Sequence, residues 1–234
     1  MNDASSLDLH QTVVPELKLI FASNDLIEIL GLDPFVPERI IDLIRKQYPD
    51  TYEKDVGVRE KYTLEEHTLM VMKQFEKYFG NKILPGDIDL NMFRLILALH
   101  DIGKPEAISK GGKHLQHKYT QIYIESLFEA LHIDERHTKL ALVLTSGDPI
   151  GKYLTSKIDA TETRKAIEEM ANNAEMPISE FFKLLCIFYK SDAGSYTENA
   201  GGLKSLDSLF NFNEKGRNLA FAPDTQEKID QLGF

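Results

Sequence analysis

Four ionisable residues stand where this chain otherwise reads as core: His67, His100, Asp101 and Asp192. His67 shares one helical face with Leu64, Val71, Phe75 and Tyr78, at spacings of three and four. His100 and Asp101 close the apolar run MFRLILALHDI, and Asp192 closes FFKLLCIFYKSDA. A buried imidazole or carboxylate is costly unless it is paired or bound to a metal. Three helices carrying four such groups can converge on one divalent cation. Imidazole and carboxylate ligands suit Mn, Fe, Ni, Co or Zn, and carboxylates with open positions also accept Mg, so the set does not distinguish the ion. His100 and Asp101 lie about 100° apart around a helix, so they meet one ion only over the helix end. For any single histidine the competing reading is a satisfied core or surface residue; the combination points to metal. For Asp192 the plain alternative is an acid near Lys190, but a negative charge at a helix C-terminus opposes the macrodipole and needs another reason.

The elements that must position these groups are helical. Val/Ile/Thr alternation bounded by hairpin turns is almost absent, which predicts a nearly all-α chain. Ser23 and Asn24 can cap a helix through Leu30, with Gly31 as its stop. Pro37 suits the first turn of a helix to about Gln47, and 48–61 reads as a polar connector. Thr63 followed by Glu66 is a capping box for a helix to Tyr78. Further helices are predicted from Asn91 to Ile102 (stopped by Gly103 and Pro105), Gln116 to Leu131, Asp134 to Leu144 and Thr161 to Ala174. Ser179 and Glu180 start the helix that ends with Asp192. Ser146 to Pro149 reads as a turn, and the chain after Gly202 as peripheral, with a short helix from Asp224 to Gln231.

Composition bounds the function. Of 234 residues, 42% are hydrophobic and 27% charged, as in an ordinary globular chain with enough length for a real core. Lysine and arginine number 27 against 37 acids, a formal charge of −10, which argues against broad binding to a nucleic-acid backbone. A small anionic substrate held by a few local cations remains compatible. No apolar run is long enough to cross a membrane. The single Cys186 excludes an internal disulfide and a cysteine zinc cluster; with no secretory signal at the start, a cytoplasmic location is expected.

The pattern His67, His100-Asp101 and distant Asp192 resembles the H…HD…D signature of the HD-domain metal-dependent phosphohydrolases. The surrounding segments EEHTLMVM, LILALHDIGKP and FYKSDAGSY carry the likeness, which covers residues 56–200. YTLEEH with HDIGKP is most similar to HD domains attached to nucleotidyltransferases and to uridylyl-removing enzymes, although no nucleotidyltransferase domain accompanies it here. The resemblance implies an HD-type helical bundle at 56–200, with an N-terminal helical extension at 1–55 and a C-terminal extension at 201–234. It implies one divalent metal on His67, His100, Asp101 and Asp192, and hydrolysis of a phosphomonoester or phosphodiester of a small phosphorylated substrate such as a nucleotide.

Within that reading Asp101 binds the metal and orients the attacking water, and Lys104 meets the phosphate. His117, at the start of the next helix, contacts substrate or donates a proton to the leaving group; His114 is the second choice. Arg59, Lys61 and Lys113 are further candidate anion contacts. Two-metal members supply another histidine near the end of the following helix, but LALVLTSGDP has none, which favours one metal and leaves Asp148 as a candidate lining residue. The alternative is a regulatory HD module that binds metal and nucleotide or a protein partner without catalysis. A di-iron oxygenase of the same fold needs more ligands than the chain offers.

Overall fold

In the computed structural model, which describes residues 17–56, 61–198, 206 and 208–234, the chain is mostly helical, as its periodicity requires. The helices are α1 (Ser23–Leu30), α2 (Pro37–Gln47), α3 (Leu64–Tyr78), α4 (Leu90–Leu99), α5 (Lys104–Lys110), α6 (Gln116–Ala130), α7 (Glu135–Leu144), α8 (Pro149–Leu154), α9 (Ala160–Asn173), α10 (Ile178–Glu198) and α11 (Pro223–Asp230). Among the described residues no helix is long and apolar enough to cross a membrane.

Local chemistry explains most boundaries. The Thr63 hydroxyl accepts from the Glu66 N–H at 3.2 Å, and the Glu66 carboxylate accepts from the Thr63 N–H at 2.8 Å, so two orphan donors of α3 are satisfied reciprocally. Asp159 and Glu162 form the same reciprocal box on α9, while Asp89 and Asp134 cap α4 and α7 by accepting from the N–H three residues on. α3 then buries Leu64, His67, Val71, Phe75 and Tyr78 on one stripe, the face its spacing predicts. It packs between α10 and α4, the two elements that bring the other chemical groups.

Several boundaries differ from expectation. α4 stops at Leu99, so His100 and Asp101 lie in a turn, and Pro105 begins α5 instead of ending α4, because proline is well tolerated in a first helical turn. Asp192 is not at a helix end: α10 continues through Glu198, so the macrodipole argument does not account for it. The Asp148 carboxylate accepts from the Gly151 N–H at 2.7 Å and caps α8, where only a turn was expected. At the start of α1 the cap position is Ala22, whose N–H donates to Asp25. The polar connector carries Tyr52 and Val56, both fully buried, and the Tyr52 hydroxyl donates to the Ala98 carbonyl at 2.9 Å.

The C-terminal residues are not merely peripheral. β1 (Phe210–Asn213) pairs antiparallel with β2 (Asn218–Phe221), Phe210 opposite Phe221. Phe210, Leu219, Phe221, Ile229 and Leu232 are buried in the main core. β1 reads FNFN, an alternation only four residues long, and β2 reads NLAF, so neither is long enough to betray a strand; their pairing is stabilised by burial against α10.

Candidate metal centre

Three buried residues, His67, His100 and Asp101, form a cluster whose donor atoms could hold a metal ion, and Asp192 adds a fourth donor. His67 Nε2 lies 3.2 Å from His100 Nε2, 3.2 Å from Asp101 Oδ2 and 3.3 Å from Asp192 Oδ1. His100 Nε2 is 3.9 Å from each of the same carboxylate oxygens. Ligands about 2.0–2.2 Å from one ion stand roughly 3–3.6 Å from each other, so the set needs only small adjustments to close on a cation. Two imidazoles with two carboxylates suit a first-row transition ion and tolerate Mg.

The ring of His100 is fixed in the tautomer a ligand requires. Its Nδ1–H donates to the Leu97 carbonyl at 2.7 Å, which leaves Nε2 to carry the lone pair. His67 Nδ1 is buried and has no hydrogen-bond partner among the described residues, so the polar function of that ring lies at Nε2.

The electrostatics of the cluster follow from its own charged groups. Burial raises the pKa of Asp101, but the neighbouring Lys104, then His100 and His67, outweigh it and hold the carboxyl well below its usual range. For Asp192, burial also pushes upward and His67 prevails, leaving its pKa lowered. Burial alone would depress His67, yet its bonds to Asp101 and Asp192 raise it overall. His100 lacks comparable bonds, and burial lowers it. Asp101 and Asp192 are thus both held ionised by the lysine and histidines around them.

The turn that carries His100 and Asp101 is pinned by a close approach. The Gly103 N–H donates to Thr120 Oγ1 at 3.2 Å, and a Cβ at Gly103 would fall 2.1 Å from the Thr120 backbone nitrogen. Only glycine lets α6 lie so near, and this brings Gln116 and His117 to the cluster. Gln116 Nε2 donates to Asp101 Oδ1 at 2.5 Å. An ionised carboxylate only accepts, which assigns the amide nitrogen to that side. Lys104 Nζ lies 2.6 Å from Asp101 Oδ2.

A pocket of about 310 Å³ opens on the cluster, at the small end of the range for ligand sites. His100, Asp101 and Asp192 line it together with Lys104, Gln116, His117, Thr145, Asp148 and Tyr196. The His117 Nδ1–H donates to the Thr145 carbonyl at 2.8 Å, leaving Nε2 as the nitrogen available to the pocket. His114 is exposed and does not line the pocket, nor do Lys61 and Lys113, both exposed. Arg59 lies outside the described residues.

Two residues of the site were absent from the sequence reading. Gln116 adjoins His117 at the start of α6, a position that becomes informative only once α6 is known to touch the Asp101 turn. Tyr196 follows Asp192 by four residues, and that spacing on one helix was a usable signal. The Tyr196 ring stacks on His67 at 4.9 Å between centroids and 21° between planes. Compared with known proteins, the chain matches no family model, no curated protein and no solved structure.

Proposed function

We propose that this protein is a metal-dependent phosphohydrolase of the HD type, cleaving a phosphomonoester or phosphodiester of a nucleotide or similar small phosphorylated substrate. The observation that carries the reading is the convergence of His67, His100, Asp101 and Asp192, the last three of them lining a pocket that also contains Lys104 and His117. When bound to these four residues, a divalent ion supplies Lewis acidity towards a phosphoryl oxygen and lowers the pKa of a water molecule.

The chain's own groups divide the remaining work. Lys104 is the local cation for the phosphate, held by its bond to Asp101. His117, oriented by Thr145, offers Nε2 to the leaving group. The water-orienting role assigned to Asp101 moves to Asp192. Asp101 has Gln116 on one oxygen and Lys104 and His67 on the other, and its side chain is 6% exposed. Asp192 is 36% exposed and opens on the pocket.

The test is metal analysis of purified protein beside His100→Ala and Asp101→Ala, with the same samples assayed on nucleoside monophosphates, cyclic nucleotides and a nitrophenyl phosphodiester. One equivalent of metal, lost in both variants together with phosphate release while helix content persists, is the expected result. Stoichiometric metal retained in both variants, or no metal after reloading with Mn, Ni or Mg, refutes it. Metal without turnover on any substrate favours a regulatory module.

A further inference from the structure

We infer that the cleft between α10, β2 and α11 is a binding site for a small apolar monocarboxylate, its tail lying among the apolar walls and its carboxylate on the Lys190 ammonium. The site is separate from the candidate metal centre, and the inference does not depend on the phosphohydrolase reading.

The cleft has a volume of about 260 Å³, just below the roughly 300 Å³ at which drug-sized ligand sites begin. Its apolar walls are Phe182, Cys186 and Ile187 from α10, Phe221 from β2 and Ile229 from α11. Phe182, Cys186 and Lys190 recur at a spacing of four, so they form one stripe of α10. Phe188, Asp192 and Tyr196 form another stripe at the same spacing and line the pocket over the candidate metal cluster. The two cavities share no lining residue.

Lys190 decides the charge of the ligand. It is half-buried, and its Nζ lies 4.4 Å from the centroid of the Phe221 ring. Among the described residues no carboxylate pairs with it, and the charged group acting on it is another cation, Lys82. A ring face offsets only part of the hydration such a cation gives up, so an anion is favoured beside it. One cation matches one negative charge, and the apolar walls match an apolar tail. The other polar groups of the cleft are engaged: Lys183 pairs with Glu180 at 2.7 Å, and Asp230 accepts from the Gln226 amide at 2.8 Å. Asp230 also lies away from Lys190. Phe221, just before α11, sits beneath Lys190, whereas Phe234, just after α11, packs on Phe182 at 4.7 Å between centroids. α11 therefore runs back along α10 and carries Asp230 towards Phe182, about 12 Å from Lys190 along the helix.

The experiment titrates the full chain, as wild type, Lys190→Met and Ile187→Phe, with octanoate and with its uncharged counterpart octanamide, followed by calorimetry. Lys190→Met keeps an apolar stem beside Phe221 and removes the charge. The cation has no acid partner, so its removal strands no opposite charge and the variant is expected to fold. Wild type is expected to bind octanoate, and to bind octanamide about 10- to 100-fold more weakly, the range for one hydrogen bond to a charged group. Lys190→Met is expected to lose that preference. Ile187→Phe, which fills the cleft, is expected to weaken both ligands about 10-fold or more with unchanged far-ultraviolet circular dichroism. Absence of octanoate binding to wild type at millimolar concentration, an unchanged preference in Lys190→Met, or unchanged binding in Ile187→Phe overturns the site. Each of these outcomes leaves the hydrolase reading where it stands.

Discussion

The ammonium of Lys104 lies 2.6 Å from Oδ2 of Asp101, the same oxygen that stands 3.2 Å from His67 Nε2. One carboxylate oxygen therefore serves a fixed cation and faces the position a metal would take. Both side chains are nearly buried, so removal of the lysine strands negative charge in the interior. Lys104→Met is expected to lower the melting temperature of the metal-free protein by about 5–10 °C. Added Mn²⁺ should recover more in the variant than in wild type, because the ion supplies the missing charge, while phosphate affinity remains weakened. Thermal scans with and without Mn²⁺ check this, and equal metal-induced shifts in the two proteins would contradict it.

Gln116 would act on a bound metal through Asp101. Its amide on Oδ1 fixes the rotation of the carboxylate and hence the direction of Oδ2. Loss of such a supporting bond typically weakens metal affinity about 10- to 100-fold. Gln116→Leu is expected to raise the Mn²⁺ dissociation constant by about 10-fold with unchanged far-ultraviolet circular dichroism. Calorimetric titration is the check; an unchanged constant would mean that Lys104 and packing alone hold Asp101.

Gly103 and Gly147 predict opposite outcomes for the same substitution. A Cβ at Gly103 meets the Tyr119 and Thr120 backbone at 2.1–2.8 Å, whereas one at Gly147 meets nothing within 4 Å. Overpacking against backbone costs about 1–3 kcal/mol or more. Gly103→Ala should reduce the melting temperature by about 4–10 °C and weaken Mn²⁺ binding, because α6 must move away from the Asp101 turn. Gly147→Ala should leave stability nearly unchanged. Similar melting temperatures for the two variants would show that the α6 contact is soft.

Cys186 gives a pH dependence away from the candidate metal centre. Burial pushes its thiol from the ordinary value of 9.0 up to about 12, with Lys190 pulling modestly the other way. The folded pKa is raised, so the associated stability is fully present below pH 9 and is lost as pH rises from 9 towards 12, where only the unfolded chain ionises readily. Native protein should resist iodoacetamide at pH 8.5 and react fully in denaturant. Mass spectrometry of the alkylated chain measures this, and rapid native labelling would show the α10 packing to be open there.

The four residues of the candidate cluster were legible in the sequence for a physical reason. Ionisable groups in apolar helical runs violate the burial pattern, and periodicity displays such violations without any knowledge of tertiary contacts. The same holds for the cap of α3, where Thr63 and a backbone donor three residues away decide the boundary. Where competing local signals coexist, as at Pro105 and Asp148, the chain can either stop or start a helix, and packing selected the start.

What the sequence by itself determined is therefore the helical class, the buried stripe of α3 and the identity of His67, His100, Asp101 and Asp192 as misplaced polar groups. Only the tertiary structure decided that these residues share one space, that Asp192 lies within α10, and that Gln116 and Tyr196 join them. Caps and stripes arise from residues three or four apart, but the stacking of Tyr196 on His67 joins positions 129 apart. Such a contact follows from how α10, α3 and the glycine-pinned turn before α5 pack together, and no local pattern encodes it. The hairpin from Phe210 to Phe221 belongs to the same class: its strands are too short to signal themselves and exist because their aromatic side chains are buried against α10.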